Sequence, residues 1–518
     1  MKNSILAILV IHTLSLMQNV MLKYNVPAIL AICLLVGCNN KKNETFTPEV
    51  TLSQNSFEFS PEGGKSSISV TTNTPLEIEG DKAGWYSLSS NESTEKNIQI
   101  FTVSAEPNNN ADPRQAKLTL LGRDYARDIY INQEGKSVIY KPEEAMALAK
   151  KLGMGWNLGN QLDAHANEMA NETIWGNQAA TQTTFDKLAE AGFASVRIPI
   201  TWLGKVEPAP DYTIDSNWLN RVAEVVAYAE NAGLNVIINI HHDGGDSKHW
   251  LNIKDAALDP QVNRAVKAQL AAMWTQIAEK FKDKGDFLIF ESLNEVHDGK
   301  WGYGANLNDG GKQYATLNGW NQVFVDAVRA TGANNSNRYL GIPGYVTNSK
   351  LTIDHMVLPV DPAENRLMVS VHYYDPHKFT LEDEFKEWGH SASADKKADY
   401  GDEDFLKDIF GKLKTKYIDK GIPVYIGETG CVHRDTERAE DFRKYYLEYI
   451  CKAAREYGMA PFYWDNGAPG TGRECSGIIN HSTGEFINNG GDIAAIMVNA
   501  ITNDDPAYTL ESVYNKAP

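Results

Sequence analysis

The chain has 518 residues, which is more than one hydrophobic core usually supports, so we expect two or more domains. Hydrophobic residues make up 42% of it and charged residues 22%, a composition typical of globular rather than disordered proteins. The formal net charge is −18 and no block of lysine and arginine occurs. The sequence therefore predicts that the ligand is neutral and that nucleic acid is not a partner.

The first residues of the chain are typical of an export signal. Residues 27–37, PAILAICLLVG, form an apolar run after Lys23 whose length suits a signal peptide and is too short to span a membrane. The run ends in LVGC at residues 35–38, which resembles a bacterial lipobox with Cys38 as the lipidated residue. An ordinary signal peptide that happens to contain a cysteine is the alternative.

The lipobox predicts how the protein is held at a membrane. Residues 1–38 would be the lipoprotein signal peptide and residues 39–47 a tether. A lipid anchor at Cys38 would make the protein a bacterial outer-membrane lipoprotein that faces the cell surface or the periplasm.

Residues 48–137 differ in texture from the rest of the chain. Short alternating runs such as VTLSQNSFEFS and KSSISVTT are separated by glycine, proline, asparagine and serine, which predicts a small antiparallel β-sandwich. The segment resembles a BACON module, an immunoglobulin-like domain often found before glycosidases of Bacteroidetes. The family name implies carbohydrate binding, but Trp85 and Tyr86 are the only conspicuous aromatic pair. We therefore interpret the module as a spacer.

From residue 143 to residue 518 the pattern changes to apolar strands that alternate with amphipathic helices. Eight strand candidates occur, at residues 153–160, 194–200, 235–240, 287–294, 338–344, 367–372, 423–428 and 460–465. Eight buried strands alternating with helices predict a (β/α)8 TIM barrel. A doubly wound open sheet is the alternative, but the segment GMGWNLG lacks the spacing of a phosphate-binding glycine loop.

Polar side chains follow most of these strands, at the end where such a barrel carries its active site. Glu295 and Glu428 each close an apolar strand, the fourth and the seventh, which lie on opposite sides of the barrel mouth. Cleavage of a glycosidic bond requires such a facing pair, because one carboxyl protonates the leaving oxygen while the other attacks or activates water. Each glutamate alone would more simply be a helix-capping or ion-pairing residue, so the interpretation depends on the pair.

Six motifs carry a resemblance to a known family. ASVRIP, NIHHDG, SLNEVH, VHYYDP, IGETG and FYWDNG, in that order, resemble glycoside hydrolase family 5. GWNLGNQLDA and the ending YWDNG are most similar to the subfamily of endo-β-1,4-glucanases, lichenases and xyloglucanases. The resemblance implies a retaining endo-glycosidase that cleaves β-1,4-glucan linkages in cellulose, mixed-linkage β-glucan or xyloglucan by double displacement.

The resemblance also implies a role for each carboxylate. Glu295 would be the general acid/base, and Glu428 the nucleophile that forms a covalent glycosyl-enzyme. Arg197 would lie beneath Glu428 and lower its pKa, whereas the charge of Glu428 would raise the pKa of Glu295. Loss of that charge on glycosylation would turn Glu295 into a base that activates water.

Further motif residues would bind substrate or support the carboxylates. Asn294 would hydrogen-bond the sugar 2-hydroxyl, and Tyr374 would donate to Glu428. His372 would line the same wall of the cleft. Each of these roles is implied by the resemblance.

Aromatic rings and histidines would complete the substrate site. Trp464 would stack on the sugar at the cleavage subsite, with a core indole as the alternative. His241 and His242 are adjacent, so both can face the cleft only if the strand has ended or bulged there, and both stay candidates. Other aromatic residues on the loops could together form a strip along a long open groove suited to endo-cleavage, although each one alone is more simply a packing residue: Trp156, Trp175, Trp202, Trp301, Tyr303 and Trp388.

Other functions fit parts of the sequence. Zinc could be held by His241, His242, Asp243 and His372, but adjacent histidines point to opposite faces of a strand and no familiar ligand spacing is complete. A non-catalytic glycan-binding lipoprotein would have no need of both glutamates. An endo-β-1,4-mannanase stays open, because mannose and glucose differ only at C2.

Nothing in the sequence indicates a cofactor or an obligate partner subunit. Cys431, Cys451 and Cys475 have no metal-site spacing, and free thiols are favoured over a disulfide. We therefore expect no metal, no organic cofactor and a monomer that acts on β-glucan polysaccharide.

Overall fold

The computed structural model describes residues 46–136, apart from residues 82 and 111, and residues 141–518. The predicted signal peptide, the lipidation site Cys38 and most of the tether lie outside these residues. The chain divides into two compact units with the boundary after residue 138. Within the described residues, no helix is both long and apolar enough to cross a membrane.

The first unit consists of two four-stranded sheets. Its strands are β1 (Val50–Leu52), β2 (Ser56–Phe59), β3 (Gly64–Thr72), β4 (Leu76–Gly80), β5 (Tyr86–Glu92), β6 (Ile98–Ala105), β7 (Arg114–Gly122) and β8 (Tyr125–Gln133). One sheet has the strand order β1-β3-β6-β5 and the other β2-β8-β7-β4. All neighbours pair antiparallel except β2 and β8, whose parallel pairing corrects the prediction of a wholly antiparallel arrangement.

Alternation along these strands builds the core of the first unit. In β3 the side chains of Ile68 and Val70 are buried and that of Ser69 between them is exposed, as expected for a strand with one face against a core. Leu118 and Ile131, from the other sheet, belong to the same apolar cluster. The two sheets therefore share one core, and the N-terminal region is all-β as predicted.

The second unit is built on a closed barrel of eight parallel strands. In chain order the strands of this unit are β9 (Gly155–Leu158), the short hairpin strands β10 (His165–Ala166) and β11 (Met169–Ala170), β12 (Ser195–Ile198), β13 (Asn235–Ile238), β14 (Leu288–Glu291), β15 (Leu340–Asn348), β16 (Leu367–His372), β17 (Val424–Thr429) and β18 (Met459–Asp465). From β12 to β18 each barrel strand pairs with the next, and β9 closes the barrel between β18 and β12. All eight predicted strands and the (β/α)8 fold are confirmed.

Helices follow most of the barrel strands, as the fold requires. They are α1 (Pro142–Leu152), α2 (Gln182–Glu190), α3 (Ser216–Asn231), α4 (Ile253–Ala256), α5 (Pro260–Phe281), α6 (Lys312–Ala330), α7 (Ser349–His355), α8 (His377–Thr380), α9 (Glu403–Lys416), α10 (Glu437–Tyr457), α11 (Gly490–Thr502) and α12 (Leu510–Tyr514). Residues typical of helix caps lie at their ends. Asp215 caps α3 by accepting from two backbone amides, and Gly458, with a φ of 84°, ends α10.

The interior of the barrel changes from apolar to polar along its axis. Ile237, Ile289 and Phe462, from three different strands, form an apolar cluster with Leu152 of α1. Two residues beyond Ile289, on the same face of β14, comes the buried Glu291. The apolar interior therefore ends at a layer of buried polar side chains, which carries the candidate site.

Candidate active site

Glu295 and Glu428 lie together at the C-terminal end of the barrel strands. Glu428 belongs to β17, whereas β14 ends at Glu291, so Glu295 lies in the loop that follows it. One carboxylate oxygen of Glu295 and one of Glu428 lie within 4.8 Å of each other. A pair this close suits a retaining glycosidase, whose carboxyls lie about 5–5.5 Å apart, better than an inverting one, whose carboxyls lie roughly 6.5–9.5 Å apart.

The buried guanidinium of Arg197 connects this pair to the barrel interior. Its Nη1 donates to Glu428 Oε1 at 2.8 Å and to Asn157 Oδ1 at 3.0 Å. Its Nη2 donates to Asn294 Oδ1 at 2.8 Å and to Glu291 Oε1 at 2.7 Å. Burial alone would lower the pKa of Arg197, but the charges of Glu291 and Glu428 raise it, so the guanidinium stays charged.

Glu291 is a buried carboxylate of the site that the sequence interpretation missed. It accepts hydrogen bonds from Arg197, Asn239, Ser370 and Tyr425. Burial acts to raise its pKa, but the charge and the hydrogen bonds of Arg197 lower the pKa overall. The signal was present in the sequence, because a glutamate inside the apolar strand FLIFE can be buried only with partners.

His372 and Tyr374 line the wall of the cleft beside both carboxylates. His372 Nδ1 lies 2.7 Å from Glu295 Oε1 and 3.6 Å from Glu428 Oε2. The Tyr374 hydroxyl donates to Glu428 Oε2 at 3.1 Å. Glu428 is therefore held at one oxygen by Arg197 and at the other by Tyr374.

The electrostatics of the two carboxylates differ from the prediction. Burial raises the pKa of Glu428 and outweighs the lowering effects of His372 and Arg197. Burial also acts to raise the pKa of Glu295, but the hydrogen bond and charge of His372, with smaller contributions from other histidines, lower it overall. Both directions are opposite to those predicted from the charges of Arg197 and Glu428, because the sequence revealed neither the burial nor the contact with His372.

His241 and His242 both lie beside the cleft. The strand β13 ends at Ile238 and a 3-10 turn begins at His242, so neither histidine obeys the alternation of a strand. His241 Nε2 lies 3.9 Å from Glu428 Oε1, and His242 Nε2 lies 3.5 Å from Asp163 Oδ2. The structure therefore meets the condition under which both histidines can share the site.

Trp464 is half-buried near the end of β18. Its ring is parallel to that of His241, with centroids 5.9 Å apart and an interplanar angle of 5°. A Cβ atom at Gly159 would lie 2.9 Å from the indole Cζ2, so the glycine leaves room for this ring. A partly exposed indole in this position suits stacking against the apolar face of a sugar.

Three of the six loop aromatics predicted to line a groove belong instead to the core. Trp156, Trp202 and Trp388 are at most 2% exposed, so for these three the packing alternative is confirmed and the groove interpretation is wrong. Their indole N–H groups find internal acceptors: Asp465 for Trp156, the Asn239 carbonyl for Trp202 and the Gly401 carbonyl for Trp388. Large rings of this kind bury well when the N–H has a partner, and sequence spacing does not reveal that partner.

The other three loop aromatics are exposed. Trp175, Trp301 and Tyr303 show 41%, 57% and 82% of their surface. The Trp175 ring contacts that of His242, with centroids 5.5 Å apart. The Trp301 ring contacts that of His297 at 4.4 Å. These rings are therefore available to a ligand in the way that the sequence predicted.

The residues of the zinc alternative do not form one cluster. His241 and His242 group with Asp163, whereas His372 groups with the two glutamates. The carboxylate of Asp243 instead accepts from the Trp202 backbone amide at 2.9 Å and from the Trp250 indole at 2.8 Å. The four residues that the zinc alternative named therefore do not share one site.

The cysteines of the barrel unit are separate from this chemistry. Cys431, Cys451 and Cys475 are free thiols, as the sequence favoured. Burial raises the pKa of Cys431 and of Cys451, so both thiols stay protonated near neutral pH.

Comparison with known proteins identifies the family. The family model described as Cellulase (glycosyl hydrolase family 5) matches residues 160–470, more than half of the chain. The chain belongs to glycosyl hydrolase family 5. The resemblance seen in the sequence motifs is thereby confirmed at the level of the family.

Several members of family 5 are similar to this chain over long stretches. Endoglucanase A of Paenibacillus barcinonensis is 37% identical over 343 residues, which cover 63% of this chain and 83% of that protein. The xyloglucan-specific endo-beta-1,4-glucanase BoGH5A of Bacteroides ovatus is 30% identical over 493 residues, which cover 89% and 93% of the two chains. A solved structure, the GH5-4 broad specificity endoglucanase from Bacteroides salanitronis, has a TM-score of 0.68 and 63% identity over 69% of this chain and 95% of that chain.

Proposed function

We propose that this protein is a retaining, endo-acting glycoside hydrolase that cleaves β-1,4-glucan linkages of plant cell-wall polysaccharide. The observation that carries the proposal is the pair Glu295 and Glu428: one oxygen of each lies within 4.8 Å of the other, and Glu428 accepts a hydrogen bond from the buried Arg197. Family membership and the endoglucanases and xyloglucanase among the relatives support the same reaction. Cellulose, mixed-linkage β-glucan and xyloglucan are the candidate substrates.

The reaction proceeds in two displacements. First, a Glu428 oxygen bonds to the anomeric carbon while the bond from that carbon to the glycosidic oxygen breaks, and Glu295 gives its proton to the leaving oxygen. Second, Glu295 takes a proton from water, whose oxygen displaces Glu428 from the same carbon. Two inversions restore the original configuration, and both carboxyl groups return to their starting states.

The first displacement needs the proton on Glu295 and a charge on Glu428. In the free protein His372 favours the ionised form of Glu295, so bound substrate has to change this balance. Polysaccharide in the cleft removes water from Glu295, whose side chain is 22% exposed, and raises the pKa of Glu295 against the effect of His372, because burial disfavours the charged form. Glu428 meanwhile keeps its hydrogen bonds from Arg197 and Tyr374, which favour its ionised form.

Neighbouring groups are oriented to hold the sugar. Asn294 Oδ1 accepts from Arg197, so the amide orientation is fixed and its Nδ2 is the donor for the sugar 2-hydroxyl. Trp464 supplies a stacking surface at the cleavage subsite. His241 and His242 supply polar contacts on the same side of the cleft.

Exposed rings near the cleft support endo-action on a polymer. Trp175 contacts His242, and Trp301 contacts His297, which follows Glu295 by two residues. Exposed aromatic rings therefore lie next to His242 and next to His297, which is close to the acid/base Glu295. A chain that crosses several such rings is cleaved internally rather than from its end.

We also propose that the N-terminal unit is an immunoglobulin-like, BACON-type spacer that a lipid on Cys38 holds at the outer membrane. A spacer role is supported by Trp85, whose ring packs on the domain core and is covered by the Arg114 guanidinium at 4.4 Å. Labelling of growing cells with a fatty-acid analogue tests the anchor. Label should enter the wild-type protein and not Cys38→Ala, and equal labelling of the two would overturn the proposal.

Reducing-sugar release from four polysaccharides tests the activity. We expect release from xyloglucan, mixed-linkage glucan or carboxymethylcellulose by the wild type, and no release by Glu428→Ala. Early products observed by NMR should have the β configuration. Release from mannan alone would indicate a mannanase, and equal release by both proteins, or binding without release, would contradict the proposed chemistry.

A further inference from the structure

A chain of buried hydrogen bonds leads from Glu291, below the site, to the edge of the cleft. Glu291 is fully buried on the inward face of β14. Its Oε1 accepts from Arg197 at 2.7 Å and from Asn239 Nδ2 at 3.0 Å, and its Oε2 accepts from the Tyr425 hydroxyl at 2.6 Å. One carboxylate therefore holds two side chains that each lead on to the reaction centre, Arg197 to Glu428 and Asn239 to His241.

The orientation of the Asn239 amide is fixed by its neighbours. Its Oδ1 accepts from the Ile200 backbone N–H at 3.2 Å, and its Nδ2 donates to Glu291. A backbone N–H can only donate and an ionised carboxylate can only accept, so exchange of the amide oxygen and nitrogen would break both contacts. The second hydrogen on Nδ2 is then directed at His241 Nδ1, 3.1 Å away.

This contact decides where His241 carries its hydrogen. Burial, with the charges of His242 and Arg197, lowers the pKa of His241 well below its ordinary value, so the ring is neutral. A neutral imidazole has one N–H, and Nδ1 has to accept from Asn239. The hydrogen is therefore on Nε2, which lies 3.9 Å from Glu428 Oε1 beside the nucleophile.

We propose that Glu291 and Asn239 are positioning residues that fix His241 as the Nε2–H tautomer, so that it donates a hydrogen bond to a substrate oxygen beside Glu428. The same Glu291 carboxylate also accepts from the guanidinium of Arg197. One buried carboxylate therefore orients Arg197 directly and His241 through Asn239. The identity of the substrate oxygen as a sugar hydroxyl rests on the proposed glycosidase function. The tautomer itself does not, because it follows from contacts within the protein alone.

The tautomer can be measured on the free protein by nitrogen NMR of samples with labelled histidine. The His241 signals are assigned by their loss in His241→Asn. We expect a protonated Nε2 and an unprotonated Nδ1 in the wild type. A hydrogen on Nδ1 in the folded wild type would overturn the inference, whatever the enzyme hydrolyses.

Asn239→Asp is the variant that reverses the tautomer. An aspartate oxygen replaces the donor Nδ2 3.0 Å from Glu291 Oε1, so the two carboxyls share one proton. The same aspartate oxygen can then only accept from His241, so we expect the hydrogen of the imidazole to move to Nδ1. His241 then presents an acceptor to the cleft, and kcat/KM for β-glucan should fall about tenfold to hundredfold, as for loss of one buried hydrogen bond. An unchanged tautomer in the folded variant would contradict the proposed role of Asn239.

Glu291→Gln separates the hydrogen bond that Glu291 accepts from Asn239 from the negative charge that it places beside Arg197. The amide oxygen of the glutamine can still accept from Asn239, so the His241 tautomer should stay as in the wild type. Arg197 loses one of its two negative partners, and Glu428 then becomes easier to ionise, which moves the acidic limb of the kcat/KM profile to lower pH. An acidic limb at the wild-type position would contradict the proposed sharing of Arg197.

Asp361→Asn is the matched control. It makes the same carboxylate-to-amide type of change at another buried ion pair, in which Asp361 accepts from Arg329 at 2.8 and 2.7 Å. We expect the His241 tautomer, the pH profile and kcat/KM to match the wild type. A wild type that hydrolyses no glycan but has the Nε2–H tautomer would contradict the proposed function and leave the positioning intact, whereas an active wild type with an Nδ1–H tautomer would contradict the positioning alone.

Discussion

His372 and Glu295 are joined by the contact that sets the charge state of the candidate acid. His372 Nδ1 lies 2.7 Å from Glu295 Oε1, and this hydrogen bond, together with the charge of His372, lowers the pKa of Glu295 against the effect of burial. The same nitrogen lies 3.6 Å from Glu428 Oε2. One imidazole therefore influences both carboxylates of the pair.

The substitution His372→Asn should move the basic limb of the pH profile. Loss of the imidazole contact raises the pKa of Glu295, so Glu295 keeps its proton to higher pH. On a logarithmic plot the alkaline arm of kcat/KM falls with ionisation of Glu295 whichever carboxyl has the lower pKa, so this arm should move to higher pH. The measurement is kcat/KM for soluble β-glucan from pH 4 to 9, and a limb that stayed or moved to lower pH would count against this assignment of the acid.

Tyr374→Phe provides the contrasting variant, because its hydroxyl contacts Glu428 and not Glu295 in the described residues. Loss of a donor to the ionised nucleophile raises the pKa of Glu428. The acidic limb of kcat/KM should therefore move to higher pH while the basic limb stays in place. If only the basic limb moved, Glu428 would be the acid/base and Glu295 the nucleophile.

Arg197→Met should be costly for both folding and catalysis. The variant leaves Glu291 and Glu428 as buried carboxylates without their shared cation, and breaking a buried pair in this way costs about 3–5 kcal/mol. Urea unfolding at pH 7 measures the free energy of unfolding. A loss below about 1 kcal/mol, the level of an exposed ion pair, would show that Arg197 does not compensate these charges.

Glu295→Ala should separate the two chemical steps. A substrate whose leaving group needs no protonation, such as a dinitrophenyl cello-oligosaccharide, is attacked by Glu428 without help from the acid. We expect kcat/KM for this substrate to stay within about tenfold of the wild type, whereas kcat/KM for β-glucan falls about 10²- to 10⁴-fold. Equal losses on both substrates would mean that Glu295 is not the proton donor.

The exposed and the buried indoles should respond differently to truncation. Trp301→Ala removes a ring that is 57% exposed, so the free energy of unfolding should change little while KM for polysaccharide rises. Trp202→Ala removes a ring that is 1% exposed and should cost about 3–5 kcal/mol of stability. Thermal unfolding and KM for xyloglucan distinguish the two, and an unchanged KM in Trp301→Ala would remove this ring from the binding surface.

The sequence predicted correctly those features that depend on residues close together in the chain. Each barrel strand is an apolar run, and each run ends where polar residues begin, so both the fold and the positions of Glu295 and Glu428 could be predicted. The histidine pair was also treated correctly, since the end of β13 at Ile238 removes the strand alternation before His241.

The sequence did not predict the burial or the pKa of side chains whose neighbours are far away in the chain. Trp202 and Trp301 both follow a strand, yet only the assembled barrel places one in the core and the other in solvent. Glu291 was overlooked because its partner Arg197 is 94 residues away. The directions of the pKa shifts of the two carboxylates were misjudged because burial and His372 enter only after folding.

The family, the barrel and the residues proposed for the chemistry could be predicted from the amino-acid sequence, because they depend on residue type and on hydrophobic periodicity. Which side chains touch became visible only in the tertiary structure. It placed a carboxylate of Glu291 against Arg197 and Asn239, directed Asn239 at His241, and set His372 against Glu295. Charge states and tautomers follow from those contacts, since electrostatic effects and hydrogen bonds act over distances in space rather than along the chain.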